Sequence, residues 1–87
     1  GLAAAYDQYE LLLTGLGDRY FREVDRLFDL IRAHPEMYQE VIPGIRRALT
    51  RIFPYGVFYV LENNTAFVIA VAATAQAPAT WLSRADT

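Results

Sequence analysis

Residues 55–73 read YGVFYVLENNTAFVIAVAA, and this stretch decides the fold. β-Branched and aromatic residues crowd both halves, and Glu62, Asn63, Asn64 and Thr65 break the apolar run between them. Asn63 and Asn64 tolerate positive φ, so they suit the centre of a two-residue hairpin turn. Such a turn pairs Glu62 with Thr65 and sets the register of two antiparallel strands. One face then carries Phe58, Val60, Phe67, Ile69 and Val71. The other carries Tyr55, Val57, Tyr59 and Leu61 beside Ala66, Val68, Ala70 and Ala72. The first face is bulkier, so it is expected to bury against the rest of the domain and leave a shallow tyrosine–alanine surface open. A slip of one residue exchanges the two faces.

Outward from the hairpin, IRRALTRIF (residues 45–53) reads as a third strand, giving strands over about residues 45–52, 55–62 and 65–74. Pro54 marks a turn or a bulge. If Pro54-Tyr55 is the turn, Arg46, Ala48, Thr50 and Ile52 join the tyrosine–alanine face. Upstream the period becomes helical. Leu2, Ala5, Tyr6, Tyr9, Leu12 and Leu13 mark one face of a helix over about residues 2–14. TGLGD (residues 14–18) supplies a reversal, with Asp18 expected to cap the next helix, about residues 18–33. Its buried stripe is Tyr20, Phe21, Val24, Leu27, Phe28 and Ile31, and its outer face is Arg19, Arg22, Glu23, Arg26 and Asp29. Pro35 ends it, with His34 placed to favour the helix C-terminus. The whole is a single α+β domain over residues 1–87, an antiparallel helical hairpin on a three- to four-stranded antiparallel sheet. A short C-terminal helix closes it over about residues 79–84.

The bulk properties suit a packed globule, since 54% of the 87 residues are hydrophobic. The chain has no cysteine, which excludes disulfides and thiolate zinc sites and fits a cytoplasmic setting. Its longest apolar run, residues 66–73, is too short to span a bilayer. A net charge of −2 argues against general nucleic-acid binding. All eight basic residues are Arg, which suits either a GC-rich genome or bidentate contacts. Residues 1–40 hold four Arg against eight acids, and residues 41–87 hold four Arg against two. Arg46, Arg47 and Arg51 are the main basic concentration. They read either as the solvated side of an edge strand or as a site for phosphate or a partner's carboxylates. The carboxylates Glu23, Asp25 and Asp29 beside helical arginines read as an exposed, partly salt-bridged surface. No nucleophile–base pair, Gly-rich phosphate loop or metal cluster stands in the sequence, and no cofactor or catalytic residue is indicated.

Taken in order, GLGDRYFREVDRLFDLIRAHPEMYQEV, PGIRRALTRIFPYGVFYVLE, VIAVA and PATWLSR resemble the ParE/RelE superfamily, the toxins of bacterial type II toxin–antitoxin modules. Gly15-Leu16-Gly17, His34-Pro35, Gly44-Ile45-Arg46-Arg47, Phe53-Pro54-Tyr55, Pro78 and Trp81 carry the resemblance. It implies a strand, two helices, three antiparallel strands and a short helix. The family's N-terminal strand has no counterpart ahead of the first helix here. A three-stranded sheet with a bare edge is therefore expected to self-associate as a two-fold dimer. Relatives of the RelE type, which cut messenger RNA on the ribosome, often carry AVxHxRRDPxxW after the last strand. Along that pattern Ala73 stands at the histidine, Ala75 and Gln76 at the arginines and Ala77 at the aspartate. Alanine neither moves a proton nor steadies a phosphorane.

The resemblance thus implies a ParE-like toxin acting by protein contacts, with DNA gyrase as the family target and a cognate antitoxin as neutralising partner. A RelE-like ribosome-dependent endoribonuclease, or a degenerate homologue acting only as an interaction module, is the alternative. Partner binding is expected on the tyrosine–alanine face, through Tyr55, Tyr59 and Ala70 with Arg46, Arg47, Arg51 and Trp81.

Overall fold

The computed structural model describes residues 2–85, with only the backbone of residues 83–85. The helical period folds as a hairpin of α1 (Leu2–Leu12) and α2 (Leu16–Ala33). Their junction is built differently from the expectation. Gly15 takes φ 89° and reverses the chain without a side-chain cap of its own. The Glu10 carboxylate of α1 instead accepts from the Gly15 N–H at 3.1 Å and the Gly17 N–H at 2.9 Å. A negative group thereby meets the positive end of α2. Asp18, expected to cap, accepts a hydrogen bond from the Tyr6 hydroxyl at 3.1 Å. A Cβ at Gly17 would lie 2.8 Å from the Tyr6 carbonyl oxygen, so the two helices touch there with no room for a side chain. Because α1 stops at Leu12, Leu12 and Leu13 project beyond the hairpin into solvent with Leu11 and do not join the buried face.

Four strands follow: β1 (Glu40–Ile42), β2 (Ile45–Leu49), β3 (Tyr55–Glu62) and β4 (Thr65–Ala73), antiparallel neighbours in the order β1-β2-β3-β4. The first is a three-residue strand that the pattern did not reveal. It pairs with β2, so β2 is internal, not an edge. Asn63 and Asn64 adopt φ 51° and 63°, and Glu62 pairs with Thr65 as the turn chemistry requires. Tyr59 pairs with Val68, but Phe58 pairs with Ala70. Ile69 is the extra residue of a β-bulge, which shifts the alternation of β4 beyond it.

That shift, and the identity of the covering layer, reverse the face assignment. Val57, Tyr59 and Ala48 bury in one core with Ala5, Tyr20, Val24, Leu27, Ile31 and Phe53, and half-buried Tyr55, Ala66 and Val71 pack against it. The helix hairpin therefore covers the tyrosine face, with Arg46 and Ala48 of β2 opposite Tyr59 and Val57. The Phe58 face is covered by α3 (Pro78–Ala85), whose Trp81 ring lies 4.6 Å from the Phe58 ring. Ala72 completes that second cluster, flanked by Val41, Ile45, Ala70 and Leu82. Both faces are covered, which explains why β3 is apolar almost throughout. β2 ends at Leu49, and the loop 50–54 turns Ile52 outward at φ 60°.

Candidate binding surfaces

The residues expected to form one docking face fall into three places. Tyr59 is wholly buried, its hydroxyl donating to the Pro35 carbonyl at 2.5 Å, and burial pushes its phenol pKa up. Tyr55 belongs to an aromatic cluster with Tyr9 and Tyr20, its ring 5.3 Å from that of Tyr20. Arg46 donates to the carbonyls of Glu36 at 3.0 Å and Tyr38 at 2.6 Å, tying the segment after α2 to the sheet. Arg47 pairs with Phe58 across the strands, on the face away from the hairpin. Ala70 and Trp81 lie beside Phe58 on that same face. The open tyrosine–alanine surface is thus replaced by buried core, because the apolar stripe of α2 needs that face as its partner.

At the end of β4 a hollow of about 400 Å³ is lined by Leu2, Tyr55, Ala70, Val71, Ala72, Ala73, Gln76 and Trp81. It includes two of the four positions at which the RelE pattern has ionisable groups, and its described lining carries no side chain charged at neutral pH. Its polar lining residues are Tyr55 and Gln76, since the indole nitrogen of Trp81 is buried.

β4 is an outer strand, and its first half is bare. Phe67, Val68 and Ile69 remain 49%, 45% and 38% exposed. Beside it runs a groove of about 580 Å³ between α2 and β4, walled by Phe28, Ile31, Pro35, Ala66 and Val68, with Arg32, Asn64 and Thr65 at its rim. One side of β4 thus offers unpaired backbone N–H and C=O groups next to an apolar trough.

Glu23, placed by its helical position on the outer face, is buried. Its carboxylate accepts from the Arg26 Nη2 at 3.1 Å, the Arg51 backbone N–H at 2.8 Å and the Arg51 Nη2 at 2.7 Å. Hydrogen bonds from Arg51 and then from Arg26 hold its pKa down to about 2. Arg51 thus anchors the loop 50–54 beyond β2 while its guanidinium stays largely exposed. Nothing local in the sequence signals this pairing, because the partners stand 28 residues apart. Asp29, by contrast, pairs with Arg32 at 3.0 Å on the exposed surface as the helical spacing suggests.

Among the described residues no cluster of three or more His, Asp or Glu side chains is placed to hold a metal ion. No described helix is long and apolar enough to cross a membrane. No family model, curated protein or solved structure matches the chain.

Proposed function

We propose that this domain works by binding proteins, as a ParE-like toxin neutralised by a cognate antitoxin. The observation that carries the reading is the bare, uncharged edge of β4 beside the α2–β4 groove. An extended segment of the antitoxin would add a strand to β4. Main-chain hydrogen bonds would supply affinity, and alternate side chains would enter the trough between Phe28, Ile31 and Val68. The sequence resemblance supports the toxin class, and so does a helical hairpin packed on an antiparallel sheet with a short C-terminal helix. The alanine-lined hollow after β4 supports action by contact over cleavage. DNA gyrase is the target that the resemblance suggests.

Inducible expression in a bacterial host tests this directly. The expected outcome is growth arrest with DNA breaks, relieved by co-expression of the antitoxin encoded next to it. Val68→Asp should abolish antitoxin protection. Site-specific cleavage of transcripts on ribosomes would favour the endoribonuclease reading instead. Antitoxin binding without any growth effect would favour a degenerate interaction module.

A further inference from the structure

A second hollow, about 530 Å³, lies between α2 and the loop 50–54 and shares no lining residue with the β4 groove. Its walls are Arg19, Arg22, Glu23, Arg26, Arg51, Ile52 and Phe53. We propose that it docks a carboxylate-rich protein segment carrying an apolar side chain that packs on Ile52. This goes beyond the β4 edge and does not rest on it.

Charge is the first observation. Four guanidinium groups face one carboxylate, a local balance of +3 in a chain whose net charge is −2. Glu23 is fully engaged with Arg26 and Arg51 and fixes both. Arg19 and Arg22 stand on the same stripe of α2, are exposed, and make no ion pair with a described residue. The nearby Asp18 and Asp25 do not line the hollow. Arg26 and Arg51 spend their Nε and Nη2 groups on Glu23, which leaves Arg19 and Arg22 as the planar forks open to bidentate recognition of incoming carboxylates.

Backbone strain is the second. Ile52 holds φ 60°, a region that β-branched side chains rarely occupy, yet it is 73% exposed. The loop is pinned around it. The Thr50 hydroxyl donates to the carbonyls of Phe53 at 2.7 Å and Tyr55 at 3.1 Å, and the Arg51 N–H is tied to Glu23. Strained backbone concentrates at ligand clamps and switch regions, and here it presents an apolar knob that buries little within its own chain. An apolar knob beside unpaired arginines fits an acidic peptide better than a nucleic acid. Phe53 is buried and offers no free ring for base stacking.

A fluorescein-labelled 12-residue Glu/Leu peptide, and its Gln/Leu counterpart, test the site by anisotropy on the whole 87-residue chain. The Glu/Leu peptide should bind, weakening as salt rises, and the Gln/Leu peptide should bind at least about tenfold more weakly. The double variant Arg19→Gln, Arg22→Gln should lose about tenfold in affinity without losing its fold. Ile52→Asn should also lose about tenfold while raising the melting temperature, since asparagine accepts positive φ. Equal affinity for the two peptides would overturn the proposal, as would a double variant that binds normally. Tighter binding of a 12-nucleotide RNA that displaces the peptide would reassign the site to nucleic acid. A melting temperature lowered by Ile52→Asn would make Ile52 a structural residue and overturn the strain argument.

Discussion

Glu23 joins α2 to the loop before β3 through a single carboxylate, and its chemistry sets a pH dependence. Its pKa falls from 4.5 to about 2 in the folded protein, so folding favours the charged form. The stability it supplies is complete above pH 4.5 and is lost as pH falls through about 2. Because the Arg51 guanidinium is largely exposed, solvent screening keeps the effect small. Urea midpoints measured from pH 6 downward should fall more steeply for the native chain than for Glu23→Gln. Parallel curves would mean that the pair contributes nothing. Tyr20 poses the opposite case. Its hydroxyl is buried with no hydrogen-bond partner among the described residues, and burial pushes its pKa up to about 12. Removing that hydroxyl relieves a desolvated polar group, so Tyr20→Phe should be neutral or stabilise by up to about 1 kcal/mol. A loss of more than about 1 kcal/mol in chemical denaturation would show that the hydroxyl is satisfied in solution.

Among the elements, the helix hairpin depends on close contact at Gly17. A methyl group there would meet the Tyr6 carbonyl oxygen at 2.8 Å, and backbone cannot swing away as a side chain can. Gly17→Ala should therefore cost about 2 kcal/mol or more despite alanine's better helix propensity, read as a lowered denaturation midpoint. An unchanged midpoint would show that α1 shifts freely along α2. The hairpin of helices, the long α2 and the Asn63–Asn64 turn were legible in sequence because each has a local marker: a glycine pair, a helical apolar period, two residues that tolerate positive φ. The bulge at Ile69 had none, since residues 66–73 are apolar throughout and carry no polar residue to reveal a change of phase. Bulk was likewise a poor guide to which face α2 covers, because Trp81 takes up the Phe58 face from the far end of the chain. A three-residue strand such as β1 leaves too little alternation to read. The two hollows that line up Arg19 with Arg51, and Phe28 with Val68, depend on chain segments meeting in space.

At the scale of the whole molecule, α3 closes the second face of the sheet almost alone. Truncation at Trp81 strips the cover from Phe58, so Trp81→Ala should cost about 3 kcal/mol and increase binding of hydrophobic dyes. A variant as stable as the native chain would show that α3 is dispensable. The two rims of the sheet also differ. On one side stands β1, three residues long, irregular in register and headed by Glu40, whose carboxylate accepts from the Gly44 N–H at 3.0 Å. On the other stands the nine-residue, uncharged β4. A molecule with a single adhesive rim has a valence of one. Two copies meeting through β4 would use up each other's rim and stop at a closed pair, where two such rims on each copy would allow an open chain. The same arithmetic makes self-pairing and capture of a partner strand mutually exclusive, so a saturating partner peptide should turn any dimer seen by light scattering into a one-to-one complex. A trimeric or larger assembly in that titration would show that the β1 rim is adhesive as well.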